Sequence, residues 1–137
     1  MLTASFILCF CFISSLSSIR YFDDPTKKQD DKKFKAFVIE YFDLKYHSQV
    51  EKLYYDLRSK LIHNYSLNRK GALGDEIKDL HLRENNGKLY LDIDVFIQDT
   101  EGAFNKYLSQ LKSDEVLQPI ALKHHQKWNV IGVKSID

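Results

Sequence analysis

Residues that interrupt helices are scarce in this chain, with two prolines and five glycines among 137 residues. Little in it stops a helix once started. Sulfur is equally sparse. The two cysteines, Cys9 and Cys11, share one apolar run. They are too close to staple a fold and form no C-x-x-C or zinc spacing, which excludes a disulfide scaffold and a cysteine metal site. They read as small buried hydrophobes in a reducing compartment. Charge of one sign is missing too, since 20 basic residues face 19 acidic ones for a net +1. Nothing in that balance demands nucleic acid, so any RNA site must be local. A glycine-rich phosphate loop and an H-E-x-x-H helix are both absent, and no cofactor or metal is expected.

What is abundant is apolar and aromatic surface, at 44% and 13% of residues. That suffices for the core of one domain over residues 1–137. The run Phe6-Ile-Leu-Cys-Phe-Cys-Phe-Ile13 resembles a signal-peptide core, but no Lys or Arg precedes it, so the positive n-region is missing. The run itself is too short to span a bilayer. Its pattern continues through Leu16, Ile19 and Phe22 at helical spacing, which predicts a packed first helix over about 3–22 of a cytoplasmic protein without a membrane partner. The alternative is a secreted protein in which residues 1–18 are a signal peptide.

A charged connector with Pro25 follows. Phe34, Phe37, Val38, Tyr41 and Leu44 then fall at i, i+3, i+4, i+7 and i+10, predicting helix two over 31–46. Ser48-Gln-Val-Glu51 is a capping box opening helix three over 49–64, with Val50, Leu53, Tyr54, Leu57 and Leu61 on one face. Residues 66–75 read as a loop. Asn86-Gly87 is a type I′ turn signal. With it as the loop of a hairpin over 79–93, Leu82 faces Leu91, Leu80 faces Ile93 and His81 faces Asp92. Asp94 is the expected cap of a helix over 95–112. A short helix over 114–126 follows, and Trp128 to Val133 reads as strand or extended chain.

The chemistry gathers at the end of helix three, in Arg58-Ser-Lys-Leu-Ile-His-Asn-Tyr65. Arginine clamps phosphate with a planar fork, and histidine exchanges protons near neutrality. Together beside a phosphodiester they suffice for acid/base RNA cleavage. In an α-helix Arg58 and His63 point about 140° apart, so they converge only if the chain leaves the helix near Asn64. The partial negative charge of a helix C-terminus would favour a protonated His63. The structural alternative pairs Arg58 with a surface carboxylate and leaves His63 satisfying carbonyls. Asp56, Ser59 and His63 share a face in triad-like composition, without a nucleophile elbow, and read as a solvated face. His124 and His125 are adjacent and diverge, so they are not read as metal ligands. The aromatic band Phe34, Phe37, Tyr41 and Tyr54 reads as core.

The order of elements over residues 1 to about 112, with Tyr54-Tyr-Asp-Leu-Arg-Ser-Lys-Leu-Ile-His-Asn-Tyr65 ending helix three, resembles small bacterial HEPN-like proteins. The resemblance implies a mainly α, up-and-down helical bundle, here with an added β-hairpin. Active members of that family cleave RNA without metal through the motif Arg and His, as a homodimer whose two motifs line one cleft. In members paired with a minimal nucleotidyltransferase antitoxin, the motif Tyr is adenylylated. Carried onto this chain, Arg58 and His63 are the implied catalytic pair. Tyr65 is the implied modification target, and Ser59 and Asn64 are expected to assist binding. Ser59 departs from the Asn, Asp or His that commonly follows the Arg. The alternative within the resemblance is a non-catalytic dimerisation or nucleotide- or RNA-binding module.

Overall fold

A computed structural model describes residues 2–61 and 71–132. The fold is mainly helical, with a small three-stranded sheet. Helix α1, Leu2–Arg20, contains no glycine or proline. Its Phe6, Phe10, Ile13 and Ser17 recur at i, i+4, i+7 and i+11, and all four are buried. This stripe packs on α2 and on the long helix that follows the sheet. The full helix, unlike the eight-residue run, is long and apolar enough to cross a membrane by length and composition.

Helix α2 is Asp30–Tyr41, with Asp30 and Asp31 in its first turn, where the helix dipole favours anions. It buries Phe34, Phe37, Val38 and Tyr41 as the spacing predicts, but it ends five residues before the expected boundary, and Leu44, the last residue of the expected stripe, is exposed. Phe42 turns to extended φ/ψ, and a 3₁₀ segment, Leu44–Gln49, follows. This break carries both Phe42 and Tyr46 inward, where a continuing α-helix would have set the pair together but about 90–130° away from the buried stripe of α2. The 3₁₀ segment runs directly into α3, Val50–Lys52, and a π-helical turn, Leu53–Ser59. The capping box is therefore not formed. The preceding turn leaves no open helix end at Ser48, which is exposed, and Glu51 instead meets Lys35 at 3.0 Å. The expected inner face of this stretch, Val50, Leu53, Tyr54, Leu57 and Leu61, is buried throughout.

The region expected as a loop contains strand β1, Gly71–Gly74. Strand β2 is Glu84–Asn85 and β3 is Lys88–Asp92. The sheet order is β1-β3-β2, with β1 parallel and β2 antiparallel to β3. β2 is short, so most of the polar backbone of β3 is satisfied by β1. The hairpin turn is as read. Asn86 and Gly87 have φ of +52° and +76°, and Glu84 pairs Leu89 in the expected register. Pairing ends earlier than expected. The N–H groups of Leu82 and Tyr90 bond to the carbonyls of Tyr90 and Arg83, a bulge with Leu82 at φ +62°. Leu80 lies in a 3₁₀ turn, Lys78–Leu80, 40% exposed, and does not face Ile93.

Helix α4, Ile93–Ser113, is capped by Asp92 rather than Asp94. The buried Asp92 carboxylate accepts from the N–H of Val95 at 3.0 Å and of Ile77 at 2.9 Å. Burial pushes its pKa up, yet these donors and the Asp94 N–H hold it below the usual carboxylate range. One carboxylate thus starts the helix and anchors the loop after β1. Helix α5, Leu117–Gly132, is capped by Asp114, which accepts from the N–H of Val116 at 2.8 Å. Pro119 sits in the first turn, where its missing donor costs least. The helix continues past Trp128 and Val130, so the expected extended end is not present.

The core is aromatic. Phe96 of α4 lies 5.1 Å from Phe10, 6.1 Å from Phe6, 6.3 Å from Phe42 and 6.4 Å from Tyr46, centroid to centroid. At its edge Arg20 donates to Tyr41 at 2.9 Å and to Glu40 at 3.0 Å, and Tyr41 donates to Gln110 at 2.5 Å, tying α1, α2 and α4 together. Burial pushes the Tyr41 phenol up to about 12. Truncating so enclosed a ring as Phe96 removes contacts to three stretches of chain. Phe96→Ala is expected to lower unfolding stability by about 3–5 kcal/mol, measured by urea denaturation. A loss under about 1 kcal/mol would contradict this packing.

Candidate functional site

Arg58 projects from the π-turn toward α1. Its Nη1 donates to Tyr54 Oη at 3.3 Å, and its guanidinium carbon lies 4.9 Å from the Tyr54 ring centroid, a cation–π contact. Nε and Nη2 donate to Ser14 Oγ at 3.4 and 3.3 Å. All three hydrogen bonds are long, and the acceptors are neutral hydroxyls. Among the described residues no carboxylate lies within ion-pair distance of Arg58, so the surface-carboxylate alternative is not what the described contacts show. The guanidinium borders a cavity of about 140 Å³ whose other walls are Ser14, Ser15, Ser17, Ser18 and Asp30. The guanidinium and hydroxyls of this small polar recess suit an anion such as phosphate, while the Asp30 carboxylate on its wall opposes one.

Of the other residues singled out in the sequence, Ser59 follows on the same turn, half-buried, and does not line this cavity. His63, Asn64 and Tyr65 lie outside the described residues. The α1 serines were missed as site residues. Their signal is plain in retrospect: Ser14-Ser-Leu-Ser-Ser18 sets four hydroxyls beside one another in an otherwise apolar helix.

A second polar cluster lies beneath the hairpin. The Asp92 N–H donates to His81 Nδ1 at 3.0 Å, which fixes Nδ1 as the unprotonated nitrogen. Nε2–H then donates to Tyr46 Oη at 2.8 Å, and Tyr46 donates to Asp99 at 2.7 Å. Lys45 pairs with Asp99 at 3.0 Å. The chain of bonds joins the 3₁₀ segment, the hairpin and α4. Burial, and then the Asp99 carboxylate, push the fully enclosed Tyr46 phenol far above its ordinary range. Burial, with Lys45 beside it, holds His81 below its ordinary value against the pull of Asp99 and Asp92. The ring nitrogens of His81 and the Tyr46 hydroxyl are all engaged within the cluster, so we read it as structural.

A third feature is apolar. Between α1 and α4 lies a groove of about 510 Å³, rimmed by Leu8, Phe12 and Ile97 at 69%, 40% and 41% exposure. Among the described residues no three His, Cys, Asp or Glu side chains converge on a point where a metal ion could sit. Compared with family models, curated proteins and solved structures, the chain matches none.

The His81 geometry carries a pH dependence. A histidine whose folded pKa is depressed takes up a proton more readily when unfolded. Its contribution is intact above the unfolded value, near 6.5, and is lost as pH falls below it toward the folded value. Urea unfolding is expected to show stability declining from about pH 7.5 to about pH 5.5, by no more than about 1.4 kcal/mol per pH unit from this group. His81→Asn should flatten that decline. An identical slope in both proteins would contradict the neutral His81 assignment.

Proposed function

We propose that this chain is a HEPN-like RNA-binding domain that cleaves RNA without a metal, in a toxin or defence role. The observation that supports the reading is Arg58, a guanidinium with no ion-pair partner among the described residues, beside a polar cavity of about 140 Å³ walled by Ser14, Ser15, Ser17, Ser18 and Asp30. Arg58 holds the scissile phosphate and stabilises the charge that builds on its oxygens. The RNA 2′-hydroxyl attacks phosphorus. His63, five residues after Arg58 in sequence, takes the hydroxyl proton and returns it to the departing 5′-oxygen. The 5′-O–P bond breaks, leaving a 2′,3′-cyclic phosphate. Ser59 and Asn64 assist binding. The protein works in the cytoplasm as a homodimer that brings two motifs to one cleft, and Tyr65 is the position a nucleotidyltransferase antitoxin would adenylylate.

A non-catalytic dimerisation or RNA-binding module is the second reading. The exposed apolar groove between α1 and α4 favours it, because a surface of that kind marks contact sites.

Cleavage of a fluorophore-quencher RNA separates the two. Activity should survive EDTA and leave cyclic-phosphate ends. His63→Ala should reduce the rate by about 100- to 10,000-fold, with circular dichroism unchanged. Arg58→Ala should be comparably damaging. Arg58→Lys should recover only part of the rate, since a point charge replaces a fork. Activity equal to wild type in folded His63→Ala protein would overturn the catalytic reading.

A further inference from the structure

The apolar groove between α1 and α4 shares no residue with the Arg58 cavity. Its volume of about 510 Å³ is that of a small-molecule site. Along α4 it runs from Ile97 to Phe104, about 10 Å of helix. Phe104 meets Phe12 of α1 with ring centroids 5.3 Å apart. Two neighbouring residues interrupt this lining with polar groups. Thr100 is only 4% exposed, and its Oγ1 is buried without a hydrogen-bond partner among the described residues. A hydroxyl buried in that way is costly and calls for a partner. Glu101 is exposed at the same groove and makes no ion pair with the described residues. No Lys or Arg stands in α1 before Arg20 or in α4 before Lys106. Lys106 is turned to the Glu40 carbonyl at 3.2 Å. Glu101 is therefore the charged side chain of the groove, and Asp94, two turns earlier on the same face of α4, adds to its sign.

We propose that this groove binds a lipophilic primary amine, an ammonium head on a hydrocarbon or aromatic body. The body lies along Leu8, Phe12, Ile97 and Phe104 and takes their exposed surface out of water. The head donates one N–H to the Glu101 carboxylate, a charge-assisted hydrogen bond, and another to Thr100 Oγ1 at the floor. A neutral amphiphile of the same length gains nothing from Glu101, and a carboxylate-headed one is repelled by it. A second copy of the chain seated face to face would bring two Glu101 side chains together with no Lys or Arg from these stretches to meet them, and like charges so placed oppose association. The site needs no RNA, and its fate is separate from that of the Arg58 reading.

The test uses three probes of equal chain length, octylamine, 1-octanol and octanoate. Each is titrated into the intact protein below micelle-forming concentration and followed by backbone amide chemical shifts. Octylamine is expected to move the amides of Leu8 to Phe12 and of Ile97 to Phe104. It should bind about three- to tenfold tighter than 1-octanol, with octanoate weaker still. Glu101→Gln, a change at an exposed position, should bring amine and alcohol within about twofold of each other. Thr100→Val removes an unpaired hydroxyl, so the unliganded protein should melt no lower than wild type while octylamine binds about fivefold more weakly. Octylamine binding unchanged in Thr100→Val would overturn the contact at the floor. Equal affinity for all three probes, or equal octylamine affinity in wild type and Glu101→Gln, would overturn the amine assignment and leave a bare apolar patch. No movement of these amides with any probe would overturn the site. A wild-type dimer that Ile97→Glu splits into monomers, seen by light scattering, would give the groove to a second copy and overturn it as well.

Discussion

Phe96 is met by rings from three separate stretches of chain, Phe6 and Phe10 on α1, Phe42 just after α2 and Tyr46 in the 3₁₀ segment. A small domain cannot hide much surface, so each large ring it encloses counts heavily. Bringing these rings onto one centre dictates the chain path around them. Helix α2 must end at Tyr41 so that Phe42 and Tyr46 can both turn inward. Helix α4 must start at Ile93 so that Phe96 arrives one turn later. Asp92 secures that start, and the His81–Tyr46–Asp99 bonds fasten the hairpin to the side of the same cluster. Helix α1 then does two things with one backbone. Its Phe6, Phe10 and Ile13 complete the core, and its serines form the wall that Arg58 faces.

Those elements whose register depends on spacing were legible in the sequence. The α1 stripe from Phe6 to Leu16, the α2 stripe from Phe34 to Tyr41 and the face from Val50 to Leu61 are where periodicity sets them, whereas Ile19 and Phe22 are half-buried and Leu44 is exposed. Asn86-Gly87 has the left-handed backbone that only such a pair adopts readily. What was not legible depends on long-range packing. The capping box at Ser48 and Glu51 is locally sound, but a cap is needed only where a helix has an open end, and the 3₁₀ segment removes it. Leu80 has a consistent partner on paper, and the bulge at Leu82 ends the ladder first. Strand β1 has two glycines in four residues and weak strand propensity. It exists because β3 has an edge to satisfy. Asp94 gave way to Asp92 as helix cap because Asp92 can serve Ile77 as well.

The site was half legible. Arg58 stood out by residue type, and its surroundings bear on the phosphate role that a guanidinium suggests. The serines facing it were not found, because hydroxyls in an apolar helix read as neutral filler until the helix is turned toward Arg58.

Core and site both depend on α1 as an integral part of the fold, since the same helix supplies core rings and site hydroxyls. Hydrogen–deuterium exchange of the intact protein measures this directly. The amides of Phe6 to Ser18 are expected to exchange as slowly as those around Phe96 in α4, opening only with global unfolding. Rapid exchange throughout α1, with α4 still protected, would show a core that closes without it and would contradict that dependence.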